Sequence, residues 1–75
     1  MEIKIIAFGQ IAEITGKEIT LEANDITSLK IALEEKFTSL SGRKYAIAVN
    51  KKLVQENIEL IENDTVALMP PYSGG

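Results

Sequence analysis

Along residues 17–23 apolar and polar positions alternate, with Ile19, Leu21 and Ala23 on one side and Glu18, Thr20 and Glu22 on the other. A period of two predicts a half-buried strand. Residues 2–8 read differently. Ile3, Ile5 and Ala7 share one face, Lys4, Ile6 and Phe8 the other, and both faces are largely apolar, which suits a central strand. Gly9 ends this run. Residues 10–15 are expected to form a short helical turn, closed by Gly16 in a left-handed cap.

Asn24-Asp25 marks the next turn. From 28 to 37 the period lengthens to that of a helix, with Leu29, Ala32, Leu33 and Phe37 facing inward and Lys30, Glu34 and Glu35 facing water. Thr27 is the expected N-cap, with Ile26 and Ile31 as a hydrophobic staple. No reciprocal capping box is expected, because Lys30 sits where glutamate is wanted. Gly42 marks the following loop. Residues 45–49 form an apolar strand, Asn50 begins a turn through Lys51-Lys52, and residues 53–54 return as a short strand. Residues 55–60 show no period. Asn63-Asp64 turns the chain again, and residues 65–69 make the last strand, stopped by Pro70-Pro71.

The order is strand, strand, helix, strand, short strand, strand. The helix supplies the crossover that a parallel neighbour requires. Both the first and last strands are apolar, which places them side by side at the centre of a mixed sheet. This is an α+β architecture of the β-grasp, ubiquitin-like type, with one main helix covering one sheet face. The other face is only partly covered, and an uncovered apolar face in a small domain calls for a partner.

Composition narrows the function. Seventy-five residues make one domain, expected to span 1–70 with a flexible tail at 71–75. The chain has neither cysteine nor histidine, so it lacks a thiol nucleophile, the usual general base and the commonest metal ligands. A complete active site, a metal site and a disulfide are not expected. The net charge of -3 argues against binding nucleic acid through its phosphates. The basic pairs Arg43-Lys44 and Lys51-Lys52 and the acidic stretch 56–64 read as solvated surface. No apolar stretch approaches the roughly 20 residues of a membrane span, and the opening residues do not resemble a signal peptide. A cytoplasmic location is expected.

The chemistry that remains lies in the closing residues, Pro71-Tyr72-Ser73-Gly74-Gly75. Glycine has no Cβ, so Gly74 and Gly75 can thread a channel too narrow for other residues. A terminal carboxylate is one that a folded domain can offer to another protein's active site, there to be activated as an acyl-adenylate and attacked by sulfur or nitrogen. Pro70-Pro71 would stiffen the exit and hold it away from the sheet.

With these blocks in view, the chain resembles the small-subunit family of molybdopterin synthase, the sulfur carriers of molybdenum-cofactor biosynthesis, over its full length. Phe8-Gly9, Ala12-Glu13 and Gly16 resemble that family's Phe-Gly-x-x-Arg-Glu-x-x-Gly opening. Ala48-Val49-Asn50 resembles its Ala-Val-Asn. Asp64, Val66-Ala67, Pro70-Pro71 and Ser73-Gly74-Gly75 resemble its Gly-Asp-Glu-Val-Ala and Pro-Pro-Val-Ser-Gly-Gly close, the most specific block. Three positions depart. Ala12 stands where the family often has arginine, Asn63 where it has glycine, and Tyr72 where it has valine.

The resemblance implies a non-catalytic, sulfur-donating subunit. The carboxylate of Gly75 would be adenylated by a ubiquitin-activating-like partner that binds the ATP. This chain has no phosphate-cradling loop and binds no cofactor of its own. A sulfur donor protein would convert Gly75 to a thiocarboxylate. The tail would then deliver sulfur to cyclic pyranopterin monophosphate inside the large subunit, two small subunits flanking a dimer of large ones. Gly75 is the reacting residue and Gly74 permits its passage. Phe8, Leu53, Met69, Pro70, Pro71, Tyr72 and Ser73 are the expected partner-binding positions. Asn50 and Asp64 read as turn formers, Tyr45 as structural, and Glu13 as a partner contact or a solvated carboxylate. Other readings are a carrier for thiamine synthesis or transfer-RNA thiolation, a ubiquitin-like modifier conjugated through Gly75, and an interaction domain with an inert tail.

Overall fold

The two apolar strands at the ends of the pattern lie side by side. In the computed structural model, which describes residues 2–71, β1 (Glu2–Ala7) runs parallel to β5 (Thr65–Met69), with Ile5 beside Val66 and Ala7 beside Leu68. β2 (Glu18–Glu22) flanks β1 antiparallel. On the far side β3 (Ala46–Val49) flanks β5 antiparallel, and β4 (Lys52–Val54) closes that edge, giving the order β2-β1-β5-β3-β4. This is the mixed sheet that the sequence predicts. The strand at its centre is β5, with β1 and β3 as inner neighbours.

One face of the sheet is covered. Ile3, Ile5 and Ala7 of β1, Val66 and Leu68 of β5, and Ile47 and Val49 of β3 point into the core. Against them pack Ile26, Leu29 and Leu33 of α2 (Ile26–Lys36), with Leu40 from a 3₁₀ turn at Thr38–Leu40. A second helix shares this task. The segment expected to make a short turn is α1 (Gly9–Thr15), and it buries Ile11 in the same core. Ile19 and Leu21 of the edge strand are half-buried, as their alternation predicts.

The glycine cap of α1 differs from expectation. Gly16 has φ 91 and ψ 164, outside the left-handed helical region, in a conformation that only glycine adopts readily. Its N–H still donates to the Ala12 carbonyl at 2.8 Å, and the Thr15 hydroxyl donates to the Gly16 carbonyl at 2.8 Å. The chain therefore leaves the helix extended and enters β2 two residues later, at Glu18.

The start of α2 is also corrected. Asp25, not Thr27, is the N-cap. Its extended backbone sets its carboxylate to accept from the Ser28 N–H at 2.8 Å, while the Ser28 hydroxyl oxygen accepts from the Asp25 N–H at 3.1 Å. A reciprocal capping box thus exists, with serine where glutamate is usual. These hydrogen bonds, first that from the Ser28 backbone, hold the Asp25 carboxyl below its ordinary pKa. Thr27 is the second residue of the helix, its N–H donating to Asn57 Oδ1 at 2.8 Å. Ile31 points outward at 56% exposure while Ile26 is buried, so the two form no staple.

Residues 55–60, which carry no period, are pinned by tertiary pairing. The Ile26 N–H donates to the Ile58 carbonyl at 3.0 Å and the Leu60 N–H to the Asn24 carbonyl at 2.8 Å, seating Leu60 in the core. The β3–β4 hairpin turns at Asn50 and Lys51, with φ of 50 and 73. A two-residue turn with both φ positive is the type that matches strand twist and favours Asn-Gly. Lys51 occupies the position glycine prefers, so Lys51→Gly is expected to stabilise the domain by about 0.5–1 kcal/mol, the relieved left-handed strain exceeding the added chain entropy. Urea unfolding of the two proteins, with equal m-values, checks this.

Candidate functional site at the tail end of the sheet

The opposite face of the sheet has no helix over it. Strand alternation sends Ile6 of β1, Ala67 of β5, Ala48 of β3 and Leu53 of β4 to this side, and the register aligns them in one row across four strands. One step toward the tail, Phe8 and Met69 continue their strands' alternation onto the same side. Phe8 follows the last residue of β1 in an extended conformation, its N–H donating to the Leu68 carbonyl at 3.0 Å. Phe8 is 51% exposed and Leu53 60% exposed, large values for side chains of this size. Between Phe8, Ile6, Ala67 and Met69 the face dips into a shallow depression of about 520 Å3, with Lys51 and Thr65 toward the other end.

Three of the expected partner-binding positions, Phe8, Leu53 and Met69, therefore share the uncovered face, and Phe8 and Met69 sit at the end where the chain leaves β5. Pro70 follows Met69 immediately. A Cβ placed on Gly9 would stand 3.0 Å from Pro70 Cγ, and Gly9 has φ 58, so glycine is favoured there both by backbone and by the close approach of the exit. Pro71 borders a separate groove of about 390 Å3 next to Tyr45 and Leu53. Tyr72, Ser73, Gly74 and Gly75 lie outside the described residues.

The other residues singled out have structural roles. Asn50 ties two turns together. Its Nδ2 donates to Asp64 Oδ1 at 2.8 Å and its Oδ1 accepts from the Thr65 N–H at 3.0 Å. Asp64, nearly buried, also accepts from the Ile61 N–H at 2.9 Å, and Asn63 takes the left-handed conformation with φ 75. Tyr45 donates its hydroxyl to Glu34 Oε2 at 2.9 Å with the Lys30 ammonium 5.9 Å from its ring centre. Burial, and then the Glu34 carboxylate, raises the Tyr45 pKa above its ordinary value, so the phenol stays protonated. Glu13 is exposed on α1. Ile6, Ala48 and Ala67 were not among the expected site residues, although Ile6 has the same strand parity as Phe8, which is the signal that could have found it.

Among the described residues, no three His, Cys, Asp or Glu side chains are grouped to hold a metal ion, and no helix is long and apolar enough to cross a membrane. Fold and face together define a β-grasp domain with an apolar sheet surface left open beside its exit segment. The chain belongs to the ThiS family, whose model matches residues 5–75. It is 33% identical to the molybdopterin synthase sulfur carrier subunit of Escherichia coli, over 97% of this chain and 99% of that protein. Among solved structures it is similar to a chain of the protein-protein complex of subunits 1 and 2 of molybdopterin-converting factor from Helicobacter pylori. That likeness has 32% identity and a TM-score of 0.76, and covers 100% of both chains. It shares its fold with a putative molybdopterin converting factor subunit 1 from Pyrococcus furiosus, at 21% identity and a TM-score of 0.86, over 96% of this chain and 99% of that one.

Proposed function

We propose that this chain is the sulfur carrier subunit of a molybdopterin synthase. The observation that carries the reading is the full-length relationship to named carriers, which extends through Gly74 and Gly75. The uncovered face supports it, because Phe8, Leu53 and Met69 offer a large catalytic subunit an apolar surface continuous with the exit at Pro70. In this reading two small subunits flank a dimer of large ones, in the cytoplasm.

The chemistry runs through Gly75. A partner adenylating enzyme joins the Gly75 carboxylate to the α-phosphate of ATP and releases pyrophosphate. The terminal sulfur of a persulfide on a donor protein then displaces AMP, forming an acyl disulfide between Gly75 and the donor. A thiol cleaves the S–S bond, leaving Gly75 as a thiocarboxylate and the donor sulfur in a disulfide with that thiol. That group remains ionised at neutral pH and is a stronger nucleophile than the carboxylate. Inside the large subunit it attacks cyclic pyranopterin monophosphate, transfers its sulfur toward the dithiolene, and returns to carboxylate on hydrolysis. Gly74 and Gly75 have no side chain to obstruct the channel, and Pro70-Pro71 direct the segment away from β5. Substrate binding and proton transfer belong to the large subunit.

Incubation with ATP, an adenylating enzyme, a persulfide donor and a thiol reductant, followed by intact mass spectrometry, tests this reading. The expected result is a mass gain equal to exchange of one oxygen for one sulfur, absent when Gly75 is deleted. No gain, with enzymes proven active on another carrier, would sink the sulfur-carrier reading. Higher-mass lysine adducts in cells, lost on the same deletion, would instead establish a protein modifier.

A further inference from the structure

Phe8 is the wall between two depressions. On its sheet side is the one described above. On its α1 side is a second of about 510 Å3, lined by Ile6, Phe8, Gly9 and Ala12, with the charged side chains Glu13 and Lys17 beside them. Both charged residues are exposed and of opposite sign, so they add no net charge, and the lining between them is carbon. Ala12 contributes only a methyl group to a half-buried position on α1. A longer side chain there would occupy the space. Because Ile6 and Phe8 line both depressions, the second one continues the docking face without a break.

This arrangement selects its occupant. A partner carboxylate placed opposite Ala12 would lose water and could pair only with the solvated Lys17 at the rim, where Glu13 opposes it, so little of the desolvation cost is recovered. An aliphatic side chain would bury carbon against Ile6, Phe8 and the Ala12 methyl. We propose that the large catalytic subunit inserts an aliphatic side chain of leucine, isoleucine or methionine size into this depression, and that the small residue at Ala12 sets partner choice by leaving room for it. The proposal rests on the reading of this chain as a molybdopterin synthase carrier.

The test uses the full-length carrier and the large subunit of the same organism. Titration calorimetry compares the wild type with Ala12→Ser and Ala12→Arg. Ala12→Ser is expected to bind within about twofold of wild type, and Ala12→Arg to bind roughly tenfold or more weakly, as filling a well-packed interface pocket costs affinity. In the wild-type complex, the 13C-labelled Ala12 methyl is expected to show intermolecular NOEs to aliphatic methyl groups of the partner. This second readout decides the matter alone if Ala12→Arg fails to fold. Equal or tighter binding by a folded Ala12→Arg, or an Ala12 methyl without such NOEs, overturns the proposal while leaving the carrier reading intact. A wild-type chain that does not bind the large subunit overturns both.

Discussion

Replacing Phe8 by aspartate is expected to weaken binding to the large subunit by about a hundredfold, roughly 3 kcal/mol, the range of a central aromatic anchor. Phe8 is about half exposed in the free domain, between two depressions that share it as a wall. In a complex it would be enclosed on both sides, and a carboxylate in its place would be buried without a partner. The variant also separates binding from folding. Phe8 is the N-cap of α1, where its side chain makes no capping hydrogen bond. Aspartate is among the preferred residues at an N-cap, so the isolated domain should keep its stability or gain some. Calorimetric titration beside thermal unfolding reads both quantities. Unchanged affinity would remove the sheet face from the docking surface.

Leu68→Ala should have the opposite profile, a large loss of stability from a position that no partner touches. Leu68 lies on β5, the central strand, between Ala7 and Ile47, fully enclosed against the helices. Truncating such a leucine costs about 3–5 kcal/mol, because the transfer free energy is lost and a cavity remains. A domain of this length has only about 4–11 kcal/mol in total. The variant is therefore expected to lose a large share of its stability and to populate unfolded chains under mild conditions. Urea unfolding should show a much lower midpoint with an unchanged slope. A shift below about 1 kcal/mol would mean that the neighbouring helices close over the gap.

Much of this architecture is legible in the chain because its local signals agree. The alternation in β2, the apolar runs of β1 and β3, and the helical spacing of Leu29 and Leu33 each fix an element and its inward side. Other features depend on contacts distant in sequence. Ile5 and Ile6 are equally apolar, and only the packing of α1 and α2 decides that Ile5 is enclosed while Ile6 faces the open side. Leu60 sits in an aperiodic stretch whose place is set by hydrogen bonds to Asn24 and Ile26. The cap of α2 departs from the sequence pattern because the familiar box pairs a hydroxyl with glutamate, whereas here aspartate and serine exchange those roles. Phe8, Leu53 and Met69 were named from resemblance. Their common orientation follows from register, which a sequence pattern alone does not contain.

The close approach of Pro70 to Gly9 sets a point of departure, and covalent geometry bounds how far residues 71–75 can reach from it. Residues 71–75 can span at most about 17 Å when fully extended. Any enzyme that acts on Gly75 must therefore bring its reacting atoms within that radius of Pro70. Two proteins large enough to hold an active site cannot both crowd so small a volume at one corner of a 75-residue domain. On the proposed carrier reading, the activating and receiving enzymes would take turns, each departing before the other can dock. The affinity of each complex is then bounded from above by turnover, since a carrier held too long by one client is unavailable to the next.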